Sequence, residues 1–155
     1  FEVFCCLLWS KQGYQAFVTP KRGGDGGIDV VALKDREGQL LQCKSSKTAE
    51  VGWDAVKEVT AGAARYQAQY SRTRFRRLAV TNQGFTNGAV AQAEANRVEL
   101  VTRKQLELLM GRHPITNHEF DSALVETRGP AATAVAVRVP GHSYRSSSSG
   151  SSAMC

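Results

Sequence analysis

An acid, an amide and an ammonium interrupt otherwise apolar runs of this sequence: Asp29 in IDVVAL, and Gln42 and Lys44 in QLLQCK. Such groups are costly to bury unless they pair or coordinate. Side chains alternate along a strand, so Gln42 and Lys44 share one face while Cys43 takes the other. If residues 28–34 and 39–44 form a hairpin, Asp29 comes opposite the distal part of the second strand. The three polar side chains then cluster on one face. A carboxylate and an amide oxygen are hard ligands of the kind Mg2+ takes, and the Cys43 carbonyl offers a third oxygen. The adjacent ammonium can orient or help deprotonate a metal-bound water and stabilise charge on a phosphate oxygen. Asp…Gln-x-Lys is a short pattern, and it serves a plain cross-strand Asp29–Lys44 ion pair equally well.

The elements that must carry these residues follow from periodicity and turn signals. Phe1, Phe4 or Cys5, and Leu8 stand at core spacing for a helix over 1–11, closed by Gly13. Residues 14–19 alternate as a strand and stop at Pro20. A glycine-dense loop, Gly23-Gly24-Asp25-Gly26-Gly27, leads into a strand at 28–34. KDREG is the turn, and 39–44 is the return strand of a hairpin. Asp25 reads as a turn residue tolerant of positive φ, with approach to a metal or phosphate as the functional alternative. No Gly-Lys-Ser/Thr follows the glycines, so they are not a nucleotide-binding loop. Ala55, Val59 and Ala63 mark a helix from Asp54 to about Tyr70. A strand at 76–81, a helix capped by Thr86 and running to about Asn96, a short strand at 98–101 and a helix at 104–110 ended by Gly111 complete the pass. The order α-β-β-β-α-β-α-β-α predicts an α/β fold with a mixed β-sheet flanked by helices.

Composition bounds the classes of function. A chain of 155 residues with 42% hydrophobic and 22% charged residues suits one globular domain and excludes a wholly disordered or fibrous protein. No stretch approaches the ~18 apolar residues of a membrane span. The longest apolar run, 3–9, follows no basic segment of a secretory signal. Cys5, Cys6, Cys43 and Cys155 form no C-x-x-C pair, so reduced thiols and a soluble, cytoplasmic protein are expected. The chain begins with Phe1, already in a helical run, as a piece cut from something longer would. A net charge of +6 suits a polyanionic partner. Half of that excess sits on Arg128, Arg138 and Arg145, in a segment with seven Ser and no acid. That segment, 128–155, is expected to be a disordered tail in which only 133–139 could pair as an edge strand. A domain over 1–112 and a C-terminal extension over 113–127 precede it.

The stretch GDGGIDVVALKDREGQLLQCKSS resembles the catalytic core of Mrr-type restriction endonucleases, in the PD-(D/E)xK nuclease superfamily. There a Gly-Asp-Gly-Gly-Ile-Asp block precedes one strand and Gln-x-Lys ends the next, as Gly24 to Asp29 and Gln42-Cys43-Lys44 do here. Phe1-Glu2, Gly13-Tyr14, Val51-Gly52, the segment TNQGFT at 81–86 with Ala89, and Leu106, Leu108 and Leu109 agree with the same pattern, over about residues 1–111. The resemblance implies a restriction-endonuclease-like core. It makes Asp29 a metal ligand and Lys44 the motif lysine, and Gln42 stands where most of the superfamily has Asp or Glu. Glu2 matches a first-helix acid. It is also the only charge in two apolar turns, and its plain alternative is an exposed helix start favoured by the dipole. Thr102 stands where relatives often carry Asp, and reads as a helix cap.

The implied activity is Mg2+-dependent hydrolysis of DNA phosphodiester bonds, with Mn2+ as a substitute, in a restriction-type enzyme for which modified and unmodified DNA are both open as targets. A DNA repair or junction-resolving nuclease on the same core, and a catalytically silent DNA-binding domain, are the alternatives. DNA is the expected partner, with no membrane, a homodimer for double-strand cuts, and a target-recognition region outside this chain. Arg72, Arg74, Arg76 and Arg77, with Lys47 and Lys57, either touch phosphates or line a solvated surface. Gln83 and Thr86 bond backbone or substrate. His113, His118 and His142 lie outside the resembling region, and Trp9 and Trp53 read as core residues.

Overall fold

The computed structural model describes residues 1–20 and 26–128. Asp25, Gly23 and Gly24, and residues 129–155 with their 133–139 segment, His142 and Cys155, lie outside the described residues. The chain opens with α1 (Glu2–Lys11), in which Cys5 through Ser10 are all buried. A helix apolar all round is an interior element and must be covered on several sides. It ends where Gly13 turns left-handed at φ 87°. The antiparallel strands β1 (Gln15–Val18), β2 (Val30–Lys34) and β3 (Glu37–Lys44) follow, with Val18 opposite Val30 and Val30 opposite Leu41. Asp35, at φ 55°, turns β2 back into β3, a conformation that Asp tolerates.

The remaining elements are α2 (Asp54–Gln69), β4 (Arg74–Thr81), α3 (Asn87–Asn96), β5 (Val98–Val101), α4 (Arg103–Arg112) and α5 (Asn117–Arg128). Parallel neighbours need a crossover, and α2 and α3 provide two: β4 runs parallel to β3, and β5 parallel to β4. The sheet order is β1-β2-β3-β4-β5. This is the mixed sheet flanked by helices that the element order predicts.

Strand alternation sorts the core into two layers. Val30, Leu41, Cys43, Leu78 and Val80 pack against α1, with Leu106 of α4 and Ala123 of α5. Val31, Leu40 and Ala79 pack against Ala55, Val56 and Val59 of α2 and against Ala89 and Ala93 of α3. A one-residue slip of β3 would carry its polar end onto the α1 face, so apolar burial on both faces also aims the polar residues. A buried polar chain joins α1 to the sheet: Trp9 Nε1 donates to Gln39 Oε1 at 2.6 Å, and Gln39 Nε2 donates to the Tyr14 hydroxyl at 2.8 Å.

Several boundaries differ from expectation. β2 starts two residues late because Gly26 and Gly27, at φ 64° and 82°, turn the chain just before it. β4 starts at Arg74, and α4 runs through Gly111 to Arg112. The 113–127 stretch contains most of α5, whose Glu119 pairs with Lys11 of α1 at 2.6 Å. Trp9 is core, but Trp53 is 49% exposed, so the core reading fails for it. Its ring lies 5.0 Å from the Lys57 ammonium, a contact that suits a half-exposed indole.

Candidate active site

Beyond the last ladder pair of β2 and β3, Asp29 stays bonded to β3, one residue out of the ladder's register. The Asp29 N–H donates to the Leu41 carbonyl at 2.8 Å, and the Cys43 N–H donates to Asp29 Oδ2 at 2.7 Å. Asp29 is therefore bonded to the backbone of the strand that carries Gln42 and Lys44. By alternation Gln42 and Lys44 share a face with Leu40, which is the α2 side, and Asp29 lines the cleft beside them. Glu2, Gly27, Asp29, Gln42, Cys43, Lys44 and Glu58 line one open cleft of about 470 Å3. Glu2, Asp29, Gln42, Cys43 and Lys44 are thus at the same cleft, Glu2 reaching it from the first turn of α1.

Asp29 and Gln42 are only 8% and 5% exposed. Gln42 Oε1 is buried and has no hydrogen-bond partner among the described residues. A buried acceptor left unmet costs about 1–3 kcal/mol, so a ligand that fills its lone pair is a physical reason for it. The described residues contain no cluster of three His, Cys, Asp or Glu side chains placed to hold a metal. Oxygen donors of the cleft include the Asp29 carboxylate, the Gln42 amide oxygen and the Cys43 carbonyl, with the Glu2 and Glu58 carboxylates also lining it. That hard-oxygen set fits Mg2+, which takes few protein ligands and keeps several waters.

The Cys43 side chain faces α1 rather than Asp29. A hydrogen bond with Cys5, then burial, then the nearby Cys5, Asp29 and Glu2 charges, hold its thiol well above the usual range. The thiol packs in the layer between the sheet and α1.

The sequence pattern left open a plain Asp29–Lys44 ion pair. Among the described residues the Lys44 ammonium instead meets Glu58 of α2, at 2.7 Å. Glu58 is the cleft residue that the sequence reading missed. Its signal was available: a charge bordering the buried Ala55–Val59 stripe of α2, one helical turn before Gly62. The glycines beside it are explained by close packing. A Cβ on Gly27 would lie 2.8 Å from the Glu58 carbonyl oxygen, and one on Gly62 would lie 2.2 Å from the Gly26 carbonyl oxygen.

The segment after Lys44 is clamped by the two residues that follow β4. Asn82 Oδ1 accepts from the Ser46 N–H at 2.8 Å, and Asn82 Nδ2 donates to the Ser46 carbonyl at 2.9 Å. Gln83 Nε2 donates to the Ser46 and Lys47 carbonyls at 3.2 and 3.3 Å. Thr86 caps α3 by accepting from the Ala89 N–H. Both residues whose partners were open therefore bond backbone. The arginines lie elsewhere: Arg74 is opposite Glu37, at the end of β3 remote from Lys44, on the order of 20 Å away. Arg76 is paired with Glu99, and Arg77 donates to the Asn96 carbonyl at 2.6 Å.

The fold is that of a restriction-endonuclease-like α/β domain. Residues 1–110 match the Mrr_cat family, described as a restriction endonuclease, and the chain belongs to that family. Its membership makes it a nuclease-class domain. No curated protein matches the chain at a significant level. Among solved structures it is similar to AF1548, a protein of unknown function, with a TM-score of 0.56 and 18% identity over 81% of this chain and 78% of that one. It is also similar to the MspJI restriction endonuclease in complex with a 27-mer oligonucleotide, with a TM-score of 0.54 and 20% identity over 90% of this chain. The chain spans about a third of that relative, 34% of its length.

Proposed function

We propose that this domain is a divalent-metal-dependent DNA endonuclease that hydrolyses phosphodiester bonds, with Mg2+ as cofactor and Mn2+ as a substitute. The observation that carries the reading is the buried, unpartnered Gln42 amide oxygen beside the Asp29 carboxylate, in a cleft that also holds Lys44. Asp29, Gln42 and the Cys43 carbonyl would hold the ion, and Glu2 adds negative charge to the same cleft. Bound there, the ion would neutralise charge on the scissile phosphate and acidify a water. The Cys43 N–H keeps the Asp29 carboxylate in one orientation. Lys44 orients the attacking water and offsets charge on the phosphate oxygen as the P–O bond to the leaving oxygen breaks in line. Family membership and the positive net charge support DNA as the substrate. We assign selection of the target, modified bases included, to a separate region or partner. A double-strand cut needs two such clefts, which a pair of copies supplies.

The test is nicking of supercoiled plasmid by the full chain in Mg2+, Mn2+ and EDTA, beside Asp29→Ala and Lys44→Ala. Metal-dependent nicking lost in both variants is the expected result. Salt-sensitive DNA binding without cutting of methylated or unmethylated plasmid would sink the reading and leave a binding module.

A further inference from the structure

We propose that Glu58 is a positioning residue for cleavage: its carboxylate holds the Lys44 ammonium in one orientation toward the attacking water and the phosphate. The inference rests on the nuclease reading above. The two groups lie 2.7 Å apart, and both line the cleft of Asp29 and Gln42. Asp54, the other acid on this turn of α2, is engaged by Lys57 at 2.9 Å, which leaves Glu58 as the acid that serves Lys44.

Fold stability does not account for the pair. Its side chains are 35% and 34% exposed, and ion pairs in that much solvent add little to stability. Affinity for DNA does not account for it either, because a carboxylate at a phosphate-binding cleft opposes the polyanion. The place of Glu58 is nonetheless built into the fold. The glycine turn that leads into Asp29 lies against the Glu58 backbone so closely that a Cβ on Gly27 would stand 2.8 Å from its carbonyl oxygen. The helix that carries the acid and the turn that delivers the metal-binding carboxylate are fitted to one another, so Lys44 is held at a set place relative to Asp29. A long, flexible lysine is otherwise ordered only when substrate arrives, and preorganised groups accelerate a reaction because that ordering is already done.

The test compares the full wild-type chain with Glu58→Gln, Glu58→Ala and Glu58→Asp. Single-turnover nicking in Mg2+ should slow by about tenfold or more in the Gln and Ala variants, as is usual when the partner that orients a reacting group is lost. Glu58→Asp should recover part of the rate. Affinity for a labelled duplex in EDTA should stay level or rise in all three. Acylation of the Lys44 amine, read by mass spectrometry against Lys47 in the metal-free protein, should increase in the Gln and Ala variants. Wild-type rates in Glu58→Ala and Glu58→Gln would overturn the inference alone, as would a parallel fall in cutting and duplex affinity. Failure of the wild type to cut would instead bring down the nuclease reading and this inference together.

Discussion

At Gln42 the domain carries a neutral side chain at the point where a second acid would add charge, and the physics of that choice is measurable. Gln42→Leu removes a buried acceptor that has no partner, so it should melt no lower than wild type while nicking is lost. Gln42→Glu sets a second carboxylate near Asp29. It should destabilise the metal-free protein by roughly 1–3 kcal/mol through burial and like-charge repulsion. It should also bind Mn2+ more tightly than wild type, and thermal melts with and without Mn2+ read both effects. Asp29→Asn keeps an acceptor for the Cys43 N–H but discards the charge, so it should fold normally and fail to bind Mn2+. This much of the site was legible because strand alternation is a local rule, and Asp29, Gln42 and Lys44 belong to one hairpin. Glu58 was not, because its approach to Lys44 depends on how the α2 crossover lies on the sheet. The Asn82 clamp on Ser46 likewise depends on β4 pairing beside β3, which no local pattern encodes.

Two glycines in helices make opposite predictions at the scale of elements. Alanine is the better helix former by about 1 kcal/mol. Gly111→Ala in α4 meets nothing within 4 Å, so it should raise stability by up to that amount in a denaturant melt. Gly62→Ala in α2 places a methyl 2.2 Å from the Gly26 carbonyl oxygen. It should lower stability by roughly 1–3 kcal/mol despite the propensity gain, and slow nicking by moving α2 off the turn before Asp29. α5 depends on charge. Its Glu119 carboxyl is held down at about 2 by Lys11 first, and then by the Thr116 N–H and hydroxyl. A depressed carboxyl stabilises the fold above its unfolded value near 4.5, and that contribution fades as pH falls from there toward about 2. Glu119→Gln should therefore loosen α5 at neutral pH and make no difference below about pH 2, as hydrogen exchange of α5 amides at each pH would show. The start of α5 was readable from Thr116 and Glu119, a Thr-x-x-Glu capping box that core periodicity passes over. The late start of β2 was less so, since it depends on the positive φ of Gly26 and Gly27.

Across the whole molecule, the alternation of strands and helices carried enough information for the mixed sheet, but the strand order and the distribution of charge had to come from the fold. The arginines at 72–77 are dense in sequence and remote from the cleft in space. Arg74→Ala should accordingly leave nicking within about twofold of wild type, and the loss of the Arg76–Glu99 pair in Arg76→Ala should lower stability by no more than about 1 kcal/mol. The two indoles divide the molecule optically. Trp9 is 3% exposed and bonded to Gln39, so its emission should be blue-shifted and shielded from iodide until the core opens. Trp53 is 49% exposed at the head of the helix that carries Glu58, so its emission should be red-shifted and quenchable while the fold is intact. A Trp53→Phe chain thus becomes a clean reporter of unfolding. A Trp9→Phe chain reports what arrives at α2, giving one small domain separate fluorescent readouts for its interior and for the flank of its cleft.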